Sequence, residues 1–153
     1  MQIQPYEPRY LADVTKLMDE LGYPIEADEA ASRIAALETE DTVRTYVAVR
    51  GGIAVGLICL RQLRALEYAR PIAQVSLLVV KEEEQGTGIG QALMAFADEW
   101  ATREGAASIV LTSGIKPERE RAHAFYRRQG YEATGYRFVK SLSERVGHGH
   151  VGG

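Results

Sequence analysis

Only one cysteine, Cys59, stands in the 153 residues, so no internal disulfide can staple the chain. Set in the apolar stretch Val55-Gly56-Leu57-Ile58-Cys59-Leu60, it reads as a small buried hydrophobe on a strand rather than as a nucleophile. No apolar run approaches the roughly 18 residues that a membrane-crossing helix needs. The start, Met1-Gln2-Ile3-Gln4-Pro5, has neither the basic nor the apolar region of a signal peptide. The expected address is therefore the cytoplasm, with no membrane partner. Positive charge is not in excess either: 18 Lys and Arg against 21 Asp and Glu give a net charge of -3. That removes the broad positive field by which nucleic-acid binders attract phosphate backbones. An internal repeat and a linker between domains are also lacking.

What is present is an ordinary globular composition, 46% hydrophobic and 25% charged. A chain of this length buries about 68–70% of its unfolded surface, enough for a conventional core. Periodicity predicts a short strand over 2–6, a helix from Tyr10 to Leu21 and a second helix over 28–37. Two strands follow, 43–49 and 53–63, joined as a hairpin through Gly51-Gly52. The run from Ile72 to Val80 is apolar nearly throughout, as in a strand covered on both faces, and is the expected centre of the sheet. After a glycine-rich turn, Ile89, Leu93, Phe96, Ala97 and Trp100 recur at helical spacing. A strand over 108–112, a helix over 118–129 and a final strand pair, 131–134 and 136–142, complete the chain. The fold class is α/β with a mixed sheet, in the order β-α-α-β-β-β-α-β-α-β-β. One domain spans 1–143, and the glycine-rich residues 144–153, with His148 and His150, read as a flexible tail.

The turn Gln85-Gly86-Thr87-Gly88-Ile89-Gly90 carries the strongest chemical signal. A dinucleotide fingerprint needs glycine where Gln91 or Leu93 stands, and a P-loop needs glycine and lysine where Gln91 and Ala92 stand, so both fail. What remains is a turn stripped of side chains at the start of a long amphipathic helix. There, free N–H groups and the helix dipole converge on an anion such as a pyrophosphate. A glycine-rich connection without a ligand is the other reading.

Gln85, Gly88 and Gly90, following the strand Leu77-Leu78-Val79-Val80, resemble the acetyl-CoA motif of the GNAT family of N-acetyltransferases: Gln or Arg, two residues, Gly, one residue, Gly or Ala. The resemblance extends to Phe125-Tyr126-Arg127-Arg128-Gln129-Gly130-Tyr131, and the order of elements agrees with it. Between Leu78 and Leu142 the chain looks most like members that acetylate small amines, the aminoalkylphosphonate and aminoglycoside 6′ types. The resemblance implies a GNAT-like acyl-CoA N-acyltransferase fold with acetyl-CoA as co-substrate. Leu78, Val79 and Val80 would hold the pantetheine arm, through the backbones of Leu78 and Val80. Gln85, Gly86, Thr87, Gly88, Ile89, Gly90 and Gln91 would cradle the pyrophosphate. Tyr126 would donate a proton to the departing CoA thiolate; with a reference pKa of about 10, a phenol is protonated at neutral pH. A core tyrosine is the other reading of Tyr126. His123, one turn earlier, orients Tyr126, lines the CoA sulfur or makes a single structural hydrogen bond; the sequence leaves these open.

Departures from the family pattern concern the general base. Many relatives carry a glutamate on the central strand, and here the positions are Gln74 and Leu77, neither of which takes a proton from an ammonium. Ordered water, or a carboxylate such as Glu20, Glu26 or Asp28, is left for that task. Gly114 and Arg119 also stand where relatives often have Asn. The connection between the first two helices, with Glu20, Tyr23 and Glu26, resembles the acceptor pocket. The expected function is acetyl transfer to a primary amine of a small molecule by direct attack in a ternary complex, with no metal. A protein N-terminal or lysine acetyltransferase and a non-catalytic acyl-CoA sensor are the alternatives. Members of the family are often dimers, so a homodimer is a further implied partner.

Overall fold

The computed structural model describes residues 1–143; the tail expected over 144–153 lies outside the described residues. The elements are β1 (Gln2–Pro5), α1 (Leu11–Leu21), α2 (Ala27–Glu38), β2 (Val43–Arg50), β3 (Ile53–Leu63), β4 (Ile72–Val80), α3 (Ile89–Arg103), β5 (Ile109–Leu111) and α4 (Glu120–Arg128). They form one five-stranded sheet in the order β1-β2-β3-β4-β5. The first four strands are antiparallel to their neighbours, and β5 joins β4 in parallel. The mixed α/β class and the order through α4 are those the periodicity predicts.

Apolar residues run nearly unbroken along the middle of β3 and along β4, so both faces of the sheet need cover. On one face Tyr10, the N-cap of α1, and Val14 and Leu17 within it pack against Val47, Ala54, Leu57 and Val79. On the other, α3 lays Ile89, Leu93, Met94, Ala97 and Trp100 against Ile58, Leu60 and Val75. The approach of α3 is close at Gly56: a Cβ there would stand 3.0 Å from the Leu93 side chain and 3.1 Å from that of Ile89. A larger residue would push the helix off the sheet. Phe125 and Tyr126 of α4, with Tyr131, pack half-buried on the α3 side of the core.

The last two expected strands do not form. Residues 131–143 carry no strand, and Tyr136, Phe138 and Leu142 stand at 90%, 91% and 83% exposure. Alternation marks a segment able to pair, but pairing needs an edge. The terminal strand at this end of the sheet, β5, is three residues long and offers a short edge.

Candidate active site

The ladder between β4 and β5 covers just Ala73, Gln74 and Val75 against Ile109, Val110 and Leu111. Beyond Val75 that edge of β4 has no strand beside it among the described residues. At the same level the register of β4 against β3 jumps: Leu60 faces Val75 and Cys59 faces Leu77, leaving Ser76 unmatched. A bulge inverts the alternation of everything that follows. Before it, the Ala73 N–H donates to Ser108 on the β5 side. After it, the Lys81 N–H donates to the Val55 carbonyl on the β3 side at 2.8 Å. Counting back from Lys81, Leu78 and Val80 direct their amide groups to the open edge. Sequence reasoning singled out these two residues, but not the bulge that turns them outward. A bulge has no composition signal of its own, and Ser76 looks like any polar residue in the run.

The open edge leads into the glycine turn. Gly86 and Gly88 have φ of +82° and +92°, a region that side chains with a Cβ rarely adopt. Gly88 is the N-cap of α3, and no side chain caps this helix. The first helical N–H groups, those of Ile89, Gly90 and Gln91, therefore have neither an intrahelical carbonyl nor a capping oxygen. Ile89 anchors the turn by burying its side chain at 1% exposure, while Gln85, Thr87 and Gln91 stay exposed. The residues present fit a pyrophosphate: exposed N–H donors at a positive helix end with no side chain in the way. They also fit a diamide arm, which an open strand edge can pair.

From the other side α4 closes on this turn. A Cβ on Gly90 would lie 3.5 Å from the Phe125 ring, in ordinary contact. Phe125 meets Tyr126 edge-on with ring centres 5.5 Å apart, and Tyr126 meets Tyr131 at 6.2 Å. Burial raises the Tyr126 phenol above its ordinary value, and the nearby Arg119 guanidinium pulls it partly back. The phenol is thus protonated at neutral pH, as a proton donor must be. Burial, with smaller contributions from Asp98 and Tyr126, raises Tyr131 to about 12, and its hydroxyl is buried without a hydrogen-bond partner among the described residues. His123 donates from Nε2 to the carbonyl of Gly114 at 2.7 Å, so it ties α4 to the loop after β5. Of the uses left open for His123, the structural hydrogen bond is the one seen. Arg119 lies beside the same loop, its Nη2 3.5 Å from the Ser113 hydroxyl. Its seven-residue spacing from Tyr126 puts the two on one face of α4, two turns apart, a relation passed over where Arg119 was read only as a departure from an expected Asn.

The acceptor residues expected on the α1–α2 connection are less gathered. Glu20 accepts the Glu82 N–H at 2.7 Å, binding α1 to the end of β4. Tyr23 is 65% exposed, and Glu26 precedes α2 without capping it by its side chain. Glu20 lines a small cavity with Asp13, Lys16 and Lys81 on the α1 face, and Asp13 there accepts the Ala54 N–H at 3.0 Å. Cys59 is half-buried against the α1-side cluster, and desolvation raises its thiol from 9.0 to about 11. No helix among the described residues is long and apolar enough to cross a membrane.

Residues 11–131 match the model of the acetyltransferase (GNAT) family. A curated aminoalkylphosphonate N-acetyltransferase of Salmonella typhimurium is 36% identical over 126 residues, spanning 82% of this chain and 78% of that one. Among solved structures, a GNAT family acetyltransferase of Staphylococcus aureus superposes with a TM-score of 0.80 at 22% identity, over 92% of this chain and 98% of that one. An aminoglycoside N-acetyltransferase in complex with CoA gives 0.78 at 16% identity, over 92% and 93%. Identities this low bear on the fold, whereas the family match and the Salmonella relative bear on the activity as well. By that match the chain belongs to the GNAT family, as an N-acetyltransferase.

Proposed function

We propose that this enzyme transfers acetyl from acetyl-CoA to a primary amine of a small molecule, by direct attack within a ternary complex. The observation that carries this reading is the half-open edge of β4 running straight into the uncapped start of α3. The amides of Leu78 and Val80 pair the pantetheine arm, with Val79 between them packed into the core. The turn from Gln85 to Gln91, through Gly86, Thr87, Gly88, Ile89 and Gly90, takes the pyrophosphate on its N–H groups. Bound in this way, acetyl-CoA presents a thioester at the level of the bulge, and the entropy of encounter is met by binding.

The amine lone pair forms the new C–N bond, the C–S bond breaks, and Tyr126 passes its proton to the leaving sulfur. His123 acts one step removed, holding the loop that follows β5 against α4. Gln74 and Leu77 carry no titratable group, and Glu20 is held by a backbone N–H. Glu26 and Asp28 stand exposed at the start of α2, so in this reading water carries off the amine proton. Both named types of relative act on small amines, an aminoalkylphosphonate in one case and an aminoglycoside in the other. That supports a small-molecule acceptor over a protein N-terminus, a lysine side chain or a sensing role without turnover.

Initial rates with both substrates varied test the mechanism. Intersecting double-reciprocal lines are expected for a ternary complex; parallel lines, the sign of an acetylated enzyme, would rule out direct attack.

A further inference from the structure

The two acceptor types named among the relatives carry opposite charge: a phosphonate is an anion and an aminoglycoside a polycation. A cation on the α1 face of the sheet bears on which of them this chain would take. Arg61 lies on β3 two residues after Cys59, whose side chain packs with the α1-side cluster, so Arg61 points to the same face. Its Nε is buried and has no hydrogen-bond partner among the described residues. The ion pairs among those residues are Arg9 with Glu7, Arg33 with Glu29 and Arg50 with Glu84, so no carboxylate balances Arg61. Its cross-strand neighbour on β4 is the neutral Gln74.

A guanidinium with a buried, unused donor is costly unless something completes it. Arg61 is half-buried and no carboxylate among the described residues pairs with it, so an anion from outside would balance its charge. The location suits a substrate. Arg61 is one strand across and two residues along from the Ser76 bulge, about 8 Å by ordinary sheet spacings. The arginine side chain covers part of that distance, and a short acceptor with its nitrogen at the thioester and an acidic group at the far end covers the rest.

We propose that Arg61 is the specificity-determining residue for the acceptor, receiving the oxyanion of a short amino-phosphonate or amino-carboxylate while Gln74 offers its amide beside it. The planar fork of the guanidinium grips two oxygens of such a group at once, and it repels a polycation. This inference rests on the reading of the protein as a small-amine acetyltransferase.

The test compares 2-aminoethylphosphonate, β-alanine, butylamine and an aminoglycoside as acceptors for the wild type, Arg61→Gln and Arg61→Lys, with the acetyl-CoA Kd of each protein measured alongside. The wild type is expected to favour the two anionic amines, and the better of these assigns phosphonate or carboxylate. Arg61→Gln is expected to lower the ratio of kcat/KM for that amine to kcat/KM for butylamine at least about tenfold, through KM, with acetyl-CoA Kd kept; Arg61→Lys recovers part of it. A wild type that prefers butylamine or the aminoglycoside, or a ratio unmoved in both variants, would overturn the role of Arg61 and leave the transferase standing. Acetyl-CoA binding with no transfer to any amine would remove the transferase reading and this inference together.

Discussion

His123 donates its Nε2 proton to the carbonyl of Gly114 across 2.7 Å, joining the first half of α4 to the loop that leaves β5. Arg119, the N-cap of α4 just past that loop, lies beside Tyr126, so this hydrogen bond helps to fix the proposed proton donor. Replacing His123 by Ala is expected to cost about 1 kcal/mol of stability. Turnover should fall less than in a Tyr126 variant. Chemical denaturation and steady-state kinetics on the two proteins check both statements; a loss of turnover in His123→Ala equal to that in Tyr126→Phe would move His123 into the reaction itself.

Tyr126→Phe keeps the ring and its packing against Phe125 and Tyr131 but removes the proton. A kcat about a hundredfold lower is expected, with acetyl-CoA Kd unchanged. Because burial raises this phenol above its ordinary value, any alkaline loss of activity from Tyr126 ionisation should have its midpoint above that of an ordinary phenol, about pH 10. Unchanged turnover in the variant would make Tyr126 a packing residue.

Gly88 caps α3 at φ +92°. An Ala there takes on strain of about 1–2 kcal/mol. If the turn relaxes, the N–H groups of Ile89, Gly90 and Gln91 lose their common aim, and acetyl-CoA Kd should rise about tenfold or more. Calorimetry on Gly88→Ala reads this directly.

The periodic residues were the legible part of the fold. Leu93, Ala97 and Trp100 marked α3, and the apolar run into Val80 marked the central strand, because burial on a helix stripe or on two sheet faces leaves a repeat in the sequence. The glycine turn was legible for a similar reason, since positive φ leaves few alternatives to glycine. What stayed hidden arises between segments. The Ser76 bulge is a register relation of β4 to β3, and the lack of a partner for Arg61 Nε among the described residues depends on what β2 and β4, the strands on either side, do not supply. The alternation over 136–142 pointed the wrong way because it records capacity to pair and not the length of the edge on offer.

Burial raises two further groups, and both tie stability to pH. Tyr131 titrates near 12 in the folded chain against about 10 when unfolded. The folded state keeps its proton longer, so this contribution is complete below pH 10 and is lost as pH rises through 12. Tyr131→Phe should flatten that alkaline decline. By removing a buried hydroxyl that has no partner, it should also raise stability near neutral pH by about 1 kcal/mol.

Cys59 follows the same sign. Its thiol is protonated until about pH 11, so alkylation at pH 8 should be slow in the native protein and fast once it is denatured. Rapid native labelling would place Cys59 in an opening of the sheet.

The central claim is that acetyl leaves the thioester for an amine held beside β4. It is tested by following free CoA thiol and N-acetylated product together while amines of different charge are added to enzyme and acetyl-CoA. Equal amounts of thiol and acetylated amine, appearing only when an amine is present, are the expected result. Thiol released without an acetylated amine, or acetyl-CoA bound and never consumed, would contradict it.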